Sequence, residues 1–490
     1  MKEPYHLKSL IILLIALMVC YSGMLIIKTV PDGDETISYL CAAGNQTTYE
    51  KVLTHELFYK QLLPVDSLQA LFQPKQKLFQ SISQGLVESD IHPPLYFWLL
   101  HLLLLSGIPL MLAGLLLNFI FHAGTLTIWF WYLKKKNIPP SIGFVMLIML
   151  IFSSAIADTA FVARQYMLLL FLFSGFYITW NLILTKPNLG LWIVYILFIT
   201  FGMLTHYLFW YVLPFTLLYS VWQQSVKQSI YLTFCLVIAF LLFYTIHPDF
   251  WIQFNAQQTR AQPYQTKQLL ERFLKIILSF IQLFFPVWWI KEGMKNIFAI
   301  IGLVWIVAVI VFLKSKIKKI RIHLAFFNKP ELAMLMYLLG LHILPYLLFF
   351  TPYHATGRYY WVMSMPLIFL ITAKCISEIK FITKLLLLLV SLSVWFADTH
   401  QKEQQKQEFA DSLEAYKEIT VTTLNRRGFL RFVPMINNKL ILLAEHPMQP
   451  KKNQLWITDE FTLKHLPFTP VDIKTYSFSD GVTLYRIITP

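Results

Sequence analysis

Apolar residues run along this chain in long blocks separated by short polar segments. The first block covers roughly Ser9–Val30, and others lie near 109–133, 140–157, 166–185, 190–206, 207–224, 229–246, 295–313, 331–350, 359–377 and 381–397. Crossing a bilayer takes roughly 20 apolar residues of helix, so the pattern predicts about eleven spans. The expected fold is therefore mainly α, a polytopic transmembrane helical bundle. The first block is too long for a signal-peptide core and no small-residue cleavage site follows it, which predicts a retained anchor. Two blocks fall outside the count. Leu95–Ser106 reaches only about 18 Å at 1.5 Å per residue and is expected as a juxtamembrane helix on the outer face. Phe273–Ile290 is long enough to span but is expected to be interfacial or re-entrant, because a crossing there would invert the next loop.

From about Asp398 the pattern changes to mixed charge and short apolar runs. Residues 412–427 (SLEAYKEITVTTLNRR) predict a helix, KLILLAEHP and QLWITDE short strands, and TYSFSDGVTLYRII a hairpin about Asp480–Gly481. The organisation expected is a membrane domain over 1–397, which includes an outer loop at 31–108, and a small extramembrane α/β domain over 398–490.

Composition strengthens the membrane reading. The 490 residues are 57% hydrophobic and 14% charged, and mean hydropathy is +0.58, whereas soluble domains carry about 25% charged residues. The net charge of +15 comes with no basic-aromatic motif for nucleic acid, and reflects lysines and arginines in cytoplasmic loops. Cys20, Cys41, Cys235 and Cys375 form no short-spaced pair and imply no disulfide framework. Loop charge orients the spans. Residues 31–91 carry four lysines against eight acids, whereas Lys134–Lys136 and the basic loop 314–329 contain no acid. Positive loops stay inside, so 31–91 and the 398–490 segment are expected on the periplasmic or lumenal face of a bacterial inner membrane or its equivalent.

That topology was built from apolar lengths and lysine clusters, yet it gathers the ionisable residues bordering apolar runs on one face. They are Asp32, Asp34 and Glu35 in PDGDETISYL, Asp90 and His92 in ESDIHPPLYFW, Asp158, Arg164 and Tyr166, His206, Arg260, His354 and Arg358. Taken singly, each has an ordinary role: a solvated acidic turn, a snorkelling arginine, a packed histidine. Together they form a coherent chemistry. Carboxylates after the first span can take a proton from an acceptor, and arginines with a histidine can clamp a phosphate. A base beside a phosphate clamp suits inverting transfer of a sugar from a polyprenyl-phosphate-linked donor. No spacing such as HxxxH singles out a metal site, so no metal ligand and no cofactor is assigned, and a divalent metal is left open. Asn45-Gln46-Thr47 is a sequon in the outer loop.

The acidic pair Asp34–Glu35 after the first span, the D-x-H-P-P-L segment from Asp90 to Leu95, Arg164 with Tyr166, Thr205–Tyr207, and Gly357–Tyr359 with Pro366 resemble the GT-C superfamily of integral-membrane glycosyltransferases. Among these the chain is most similar to protein O-mannosyltransferases and aminoarabinose/lipid A transferases, over about residues 8–397. The resemblance implies a large first outer loop with juxtamembrane helices and a hexosyl or pentosyl donor on a polyprenyl phosphate. It implies a glycan, lipid or protein acceptor. It gives Asp34 the role of base and Glu35 that of its supporter. Arg164, Arg358, Tyr166 and His206 are expected at the donor phosphate, and Asp90, His92 and Tyr359 against substrate. Asp32 is an extra acid relative to the family pattern, and some relatives carry lysine where His92 stands. The prolines of DIHPP are expected to hold an extended approach to the surface helix. Two alternatives remain open: a polysaccharide ligase or polymerase with a diphosphate-linked donor, and a transporter of lipid-linked sugars.

Overall fold

The computed structural model describes residues 6–53, 62–74, 79–89, 92–222, 226–253, 330–339 except 332, 362–375, 403–413, 418–421, 432–435, 440–443, 455–458, 470–477 and 483–488, with a few isolated positions besides. The chain is mainly helical, with several apolar spans and a small sheet built largely from its C-terminal part. Among the described residues four helices are long and apolar enough to cross a membrane: Leu7–Ile27, Leu110–Lys135, Tyr166–Thr185 and Val226–Ile246. The expected spans near 295–313 and 381–397 and the segment 273–290 lie outside the described residues.

The chain divides into two compact units. The first comprises residues 1–20, 118–161 and 165–396. Its central helix is Tyr166–Thr185, whose most apolar window is 89% buried, against 22% for Val226–Ile246. The second helix shows Ile230, Phe234 and Leu241 outward, the mark of a lipid-facing surface. Leu189–Met203 packs against both of these helices, and Gly175 lets the Phe198 ring lie against the central helix. The expected span 140–157 is interrupted, and 207–224 changes from a 3₁₀ segment to an α-helix. The 140–157 run breaks at Ser153, which is extended and caps the short helix Ser154–Ala160 by accepting from the Ile156 N–H at 3.4 Å. The boundary between the 190–206 and 207–224 runs falls at His206, also extended, after which the chain makes a tight 3₁₀ segment, Tyr207–Val212, and then the helix Leu213–Trp222. In both places a polar side chain takes up a backbone N–H that a continuous helix would bond internally.

The second unit comprises residues 21–117, 162–164 and 397–490. It contains the helices Gly33–Ala43, Gln46–Leu53, Phe79–Ser89 and Leu95–Leu105, a helix over 403–413, and one six-stranded sheet. Leu95–Leu105 has the short length expected of it. Its N-cap Pro94 has helical dihedrals, φ −83° and ψ −15°; the extended approach expected of both prolines therefore does not reach the second. The strands are β1 Leu62–Pro64, β2 Glu418–Val421, β3 Leu440–Leu443, β4 Leu455–Thr458, β5 Asp472–Ser477 and β6 Thr483–Ile488, in the order β1-β3-β2-β4-β6-β5. β3, β4 and the β5–β6 hairpin match the sequence reading. The helix expected over 412–427 does not: helix 403–413 ends early, and β2 runs through the middle of the sheet, parallel to β3 and β4. Its Ile419, Thr420 and Val421 are all buried, and β-branched side chains fit a sheet interior better than a helix. β1, from the first loop, pairs antiparallel with β3 in the register Leu62↔Leu442 to Pro64↔Leu440.

Candidate active site

The acidic helix Gly33–Ala43 is capped at both ends by its own sequence. Asp32 is the extended N-cap residue, φ −69° and ψ 163°, and its N–H donates to Glu35 Oε2 at 2.8 Å. Asp34 and Glu35 sit in the first turn, where the helix dipole favours negative charge. Gly44 ends the helix at φ 71°, a left-handed conformation that glycine adopts without strain.

Glu35 is buried and has three donors. Besides the Asp32 N–H, its carboxylate pairs with Lys28 Nζ at 2.6 Å and accepts from the Ala163 N–H at 2.6 Å. The acidic helix thus holds the turn that carries Arg164. Burial is the largest influence on Glu35 and raises its pKa above the ordinary 4.5, against the opposing pull of Lys28. Arg164 is buried too, and its Nη1 donates to Ser38 Oγ at 3.3 Å. Ser38 lies one turn beyond Asp34 on the same helix, and its hydroxyl donates to the Asp34 carbonyl at 3.3 Å. Ser38 thus joins the Arg164 guanidinium to the main chain of the acidic helix at Asp34. Asp34 itself is part-exposed.

Close packing fixes this geometry. A Cβ placed on Gly114 would lie 2.5 Å from both Ala163 Cβ and the Tyr39 hydroxyl, so only glycine lets these groups close against helix Leu110–Lys135. Tyr39 and Tyr96 are buried nearby, and burial, with Glu35 adding, lifts both phenols well above their ordinary range. They are neutral hydroxyls at working pH. On the other flank Asp32 meets Lys406 Nζ at 2.7 Å.

Of the residues singled out from the sequence, Asp34, Glu35, Arg164 and His92 belong to this unit, His92 being buried. Tyr166 and His206 belong to the other unit, where their rings lie 5.8 Å apart. Beside that pair Tyr207 donates to Gln253 Oε1 at 2.5 Å and His247 Nε2 lies 3.1 Å from the same oxygen. Asp90, Arg358 and Tyr359 lie outside the described residues. The sequence reading missed Lys28, Ser38, Gly114 and Lys406. Lys28 was open to discovery as the cation closing the first apolar block, whereas Lys406 sits in QKEQQKQEF among like residues. The sequon is not an acceptor in the folded chain: Asn45 is buried, and its side-chain nitrogen donates to the carbonyls of Leu71 at 2.8 Å and Gln73 at 3.2 Å.

No protein-family model matches the chain, and no curated protein matches it. Among solved structures the chain is similar to ArnT. The likeness to the crystal structure of ArnT from Cupriavidus metallidurans bound to undecaprenyl phosphate has a TM-score of 0.44 at 10% sequence identity, over 98% of each chain. For the apo state of the same protein the TM-score is 0.40, with the same identity and coverage.

Proposed function

We propose that the chain is an integral-membrane glycosyltransferase that moves a sugar from a polyprenyl-phosphate-linked donor to an acceptor at the periplasmic or lumenal face, with inversion. The observation that carries this reading is the division of labour among the three acids. Glu35 is buried under Lys28 and two backbone N–H groups, and Asp32 faces Lys406. Asp34 stands part-exposed in the first turn, and its main-chain carbonyl accepts from Ser38, the hydroxyl to which the buried Arg164 donates. In this reading Asp34 takes the acceptor proton. The acceptor atom then bonds to the anomeric carbon from the face opposite the phosphate. The bond from that carbon to the phosphate oxygen breaks, and the phosphate leaves with the electron pair. Arg164 stabilises the growing charge with its fork of N–H donors. Arg358, Tyr166 and His206 keep, within this proposal, the phosphate-binding role expected of them, and Asp90, His92 and Tyr359 the substrate-facing role.

The test is turnover of purified protein in lipid vesicles with polyprenyl-phosphate mannose and polyprenyl-phosphate aminoarabinose as donors, reading release of polyprenyl phosphate. Asp34→Asn keeps the shape of the side chain but cannot accept a proton. Its expected effect is a loss of about 10²–10⁴ in turnover with donor binding retained. Wild-type turnover in Asp34→Asn would remove the base from the mechanism.

A further inference from the structure

A second buried charge cluster flanks the acidic helix and has no part in the chemistry above. Lys406 and Glu403 lie one turn apart on helix 403–413 and pair at 2.6 Å, with side chains 2% and 7% exposed. Lys406 also pairs with Asp32 at 2.7 Å, and Glu403 accepts from the Thr29 N–H at 3.4 Å. These contacts close a ring. Thr29 and Asp32 lie on the approach to the acidic helix, and their partners come 374 residues later in the chain. An ammonium has three donors, enough for both carboxylates. Burial alone would lower the Lys406 pKa, but Asp32 and Glu403 outweigh it and hold the amine above the ordinary lysine value. The same two stretches of chain are joined elsewhere, by β1 against β3 and by Gln69 Nε2 donating to the Val433 carbonyl at 3.1 Å.

We propose that Lys406 is a positioning residue for transfer: by binding Asp32 it neutralises the acid two residues before Asp34 and holds the turn that presents Asp34 to the acceptor. This inference rests on the reading of Asp34 as the base. The charged and titratable groups around the turn are Asp32 and Glu35 on the acidic helix, Lys28 before it, Arg164 on the 162–164 turn, and Glu403 and Lys406 on helix 403–413. Tyr39 and Tyr96 are neutral. Lys406 is the cation paired with Asp32. Without Lys406, Asp32 loses its ammonium and more negative charge remains near Asp34. Like charge favours the protonated acid, so the base would be silent over more of the acid range.

The experiment measures kcat and donor KM against pH for the full chain in vesicles, with the two polyprenyl-phosphate sugars named above. Lys406→Met is expected to move the acid limb of kcat upward by about one pH unit, the effect of one like charge near the surface, with donor KM within about twofold of wild type. Lys406→Arg, which keeps the charge, is expected to keep the wild-type limb. Adding Asp32→Asn to Lys406→Met is expected to return the limb toward its original place, because the acid that Lys406 neutralises is then gone. A purely structural lysine would lower the amount of active protein and leave the limb where it was. Should Lys406→Met fail to fold, Lys406→Gln, which keeps a hydrogen bond without charge, is read in the same way. A wild-type limb in a folded, Asp34-dependent Lys406 variant overturns the inference alone. Transfer that is indifferent to Asp34→Asn overturns the reading beneath it.

Discussion

The ion pair between Lys28 and Glu35 gives the sharpest energetic test of the site. Both side chains are almost closed to solvent, at 3% and 2% exposure, and their charged atoms are 2.6 Å apart. Glu35→Gln keeps the volume but takes the paired carboxylate from the Lys28 ammonium. It also replaces one of two accepting oxygens by an amide nitrogen, so the N–H of Asp32 or of Ala163 loses its partner. Breaking a buried pair by removing one member costs about 3–5 kcal/mol, and Lys28→Met is expected to cost a similar amount by leaving the buried Glu35 carboxylate with its backbone N–H donors but without that ammonium, beside Asp32. The double variant removes both charges. Its cost is expected to fall below the sum of the two single costs by about 2 kcal/mol or more, since each single variant already carries the penalty of breaking the pair. Chemical unfolding in mixed micelles measures all three. Costs that add within about 0.5 kcal/mol would refute the reasoning, because the two groups would then be energetically independent. The pH dependence adds a second check. Burial raises the folded-state pKa of Glu35, so the folded chain binds this proton more tightly than the unfolded chain. The contribution of Glu35 to stability is therefore full below the unfolded value near 4.5 and declines as pH rises through the folded value. Glu35→Gln has no such proton, so its stability relative to wild type is expected to rise with pH across that window.

Three further outcomes are expected. Arg164→Ala should weaken donor binding or turnover by roughly tenfold to more than a hundredfold, the worth of a charge-assisted hydrogen bond of about 1.5–3 kcal/mol, and Arg164→Lys should recover only part of it; normal donor binding in both would make Arg164 a structural residue. Gly114→Ala should cost about 1–3 kcal/mol through overpacking and should also lower turnover, because the methyl group pushes on Ala163 and so on the turn carrying Arg164; an unchanged stability and rate would show that the close approach is not needed. Cysteines at the exposed Thr47 and the half-buried Ser412 should both react with an impermeant reagent from the outside, and labelling of either only from the cytoplasm would overturn the loop-charge topology.

The acidic helix of the candidate site was legible in the sequence because it is local. Asp34 and Glu35 share its first turn, and the caps that build it, Asp32 and Gly44, are adjacent to it. Arg164 stood out as a cation bordering an apolar run. What could not be read was the set of partners that the fold brings to Glu35 and Asp32. Lys28 and Lys406 are ordinary surface residue types, and only tertiary packing buries them against Glu35 and Asp32. β2 was misread for a related reason. EITV follows a charged helical stretch and continues its periodicity, but burial between β3 and β4 overrides that local preference. The Pro64-terminated strand β1 is too short to announce itself and exists through its pairing with β3. The break at Ser153 was hidden because the apolar run continues through it, whereas the one at His206 falls where the sequence reading separated the 190–206 and 207–224 runs.

The pairing of β1 with β3 also has a consequence for how the protein is made. Pro64 leaves the ribosome early, and its partner Leu440 is added 376 residues later. At about 5–20 residues per second, the first-loop segment waits roughly 20–75 s for the strand that completes it. Through that interval the bundle helices are being inserted while the acidic turn is still without Lys406. The acidic turn therefore gains its Lys406 contact, and β1 its partner strand, only after translation has passed the sheet.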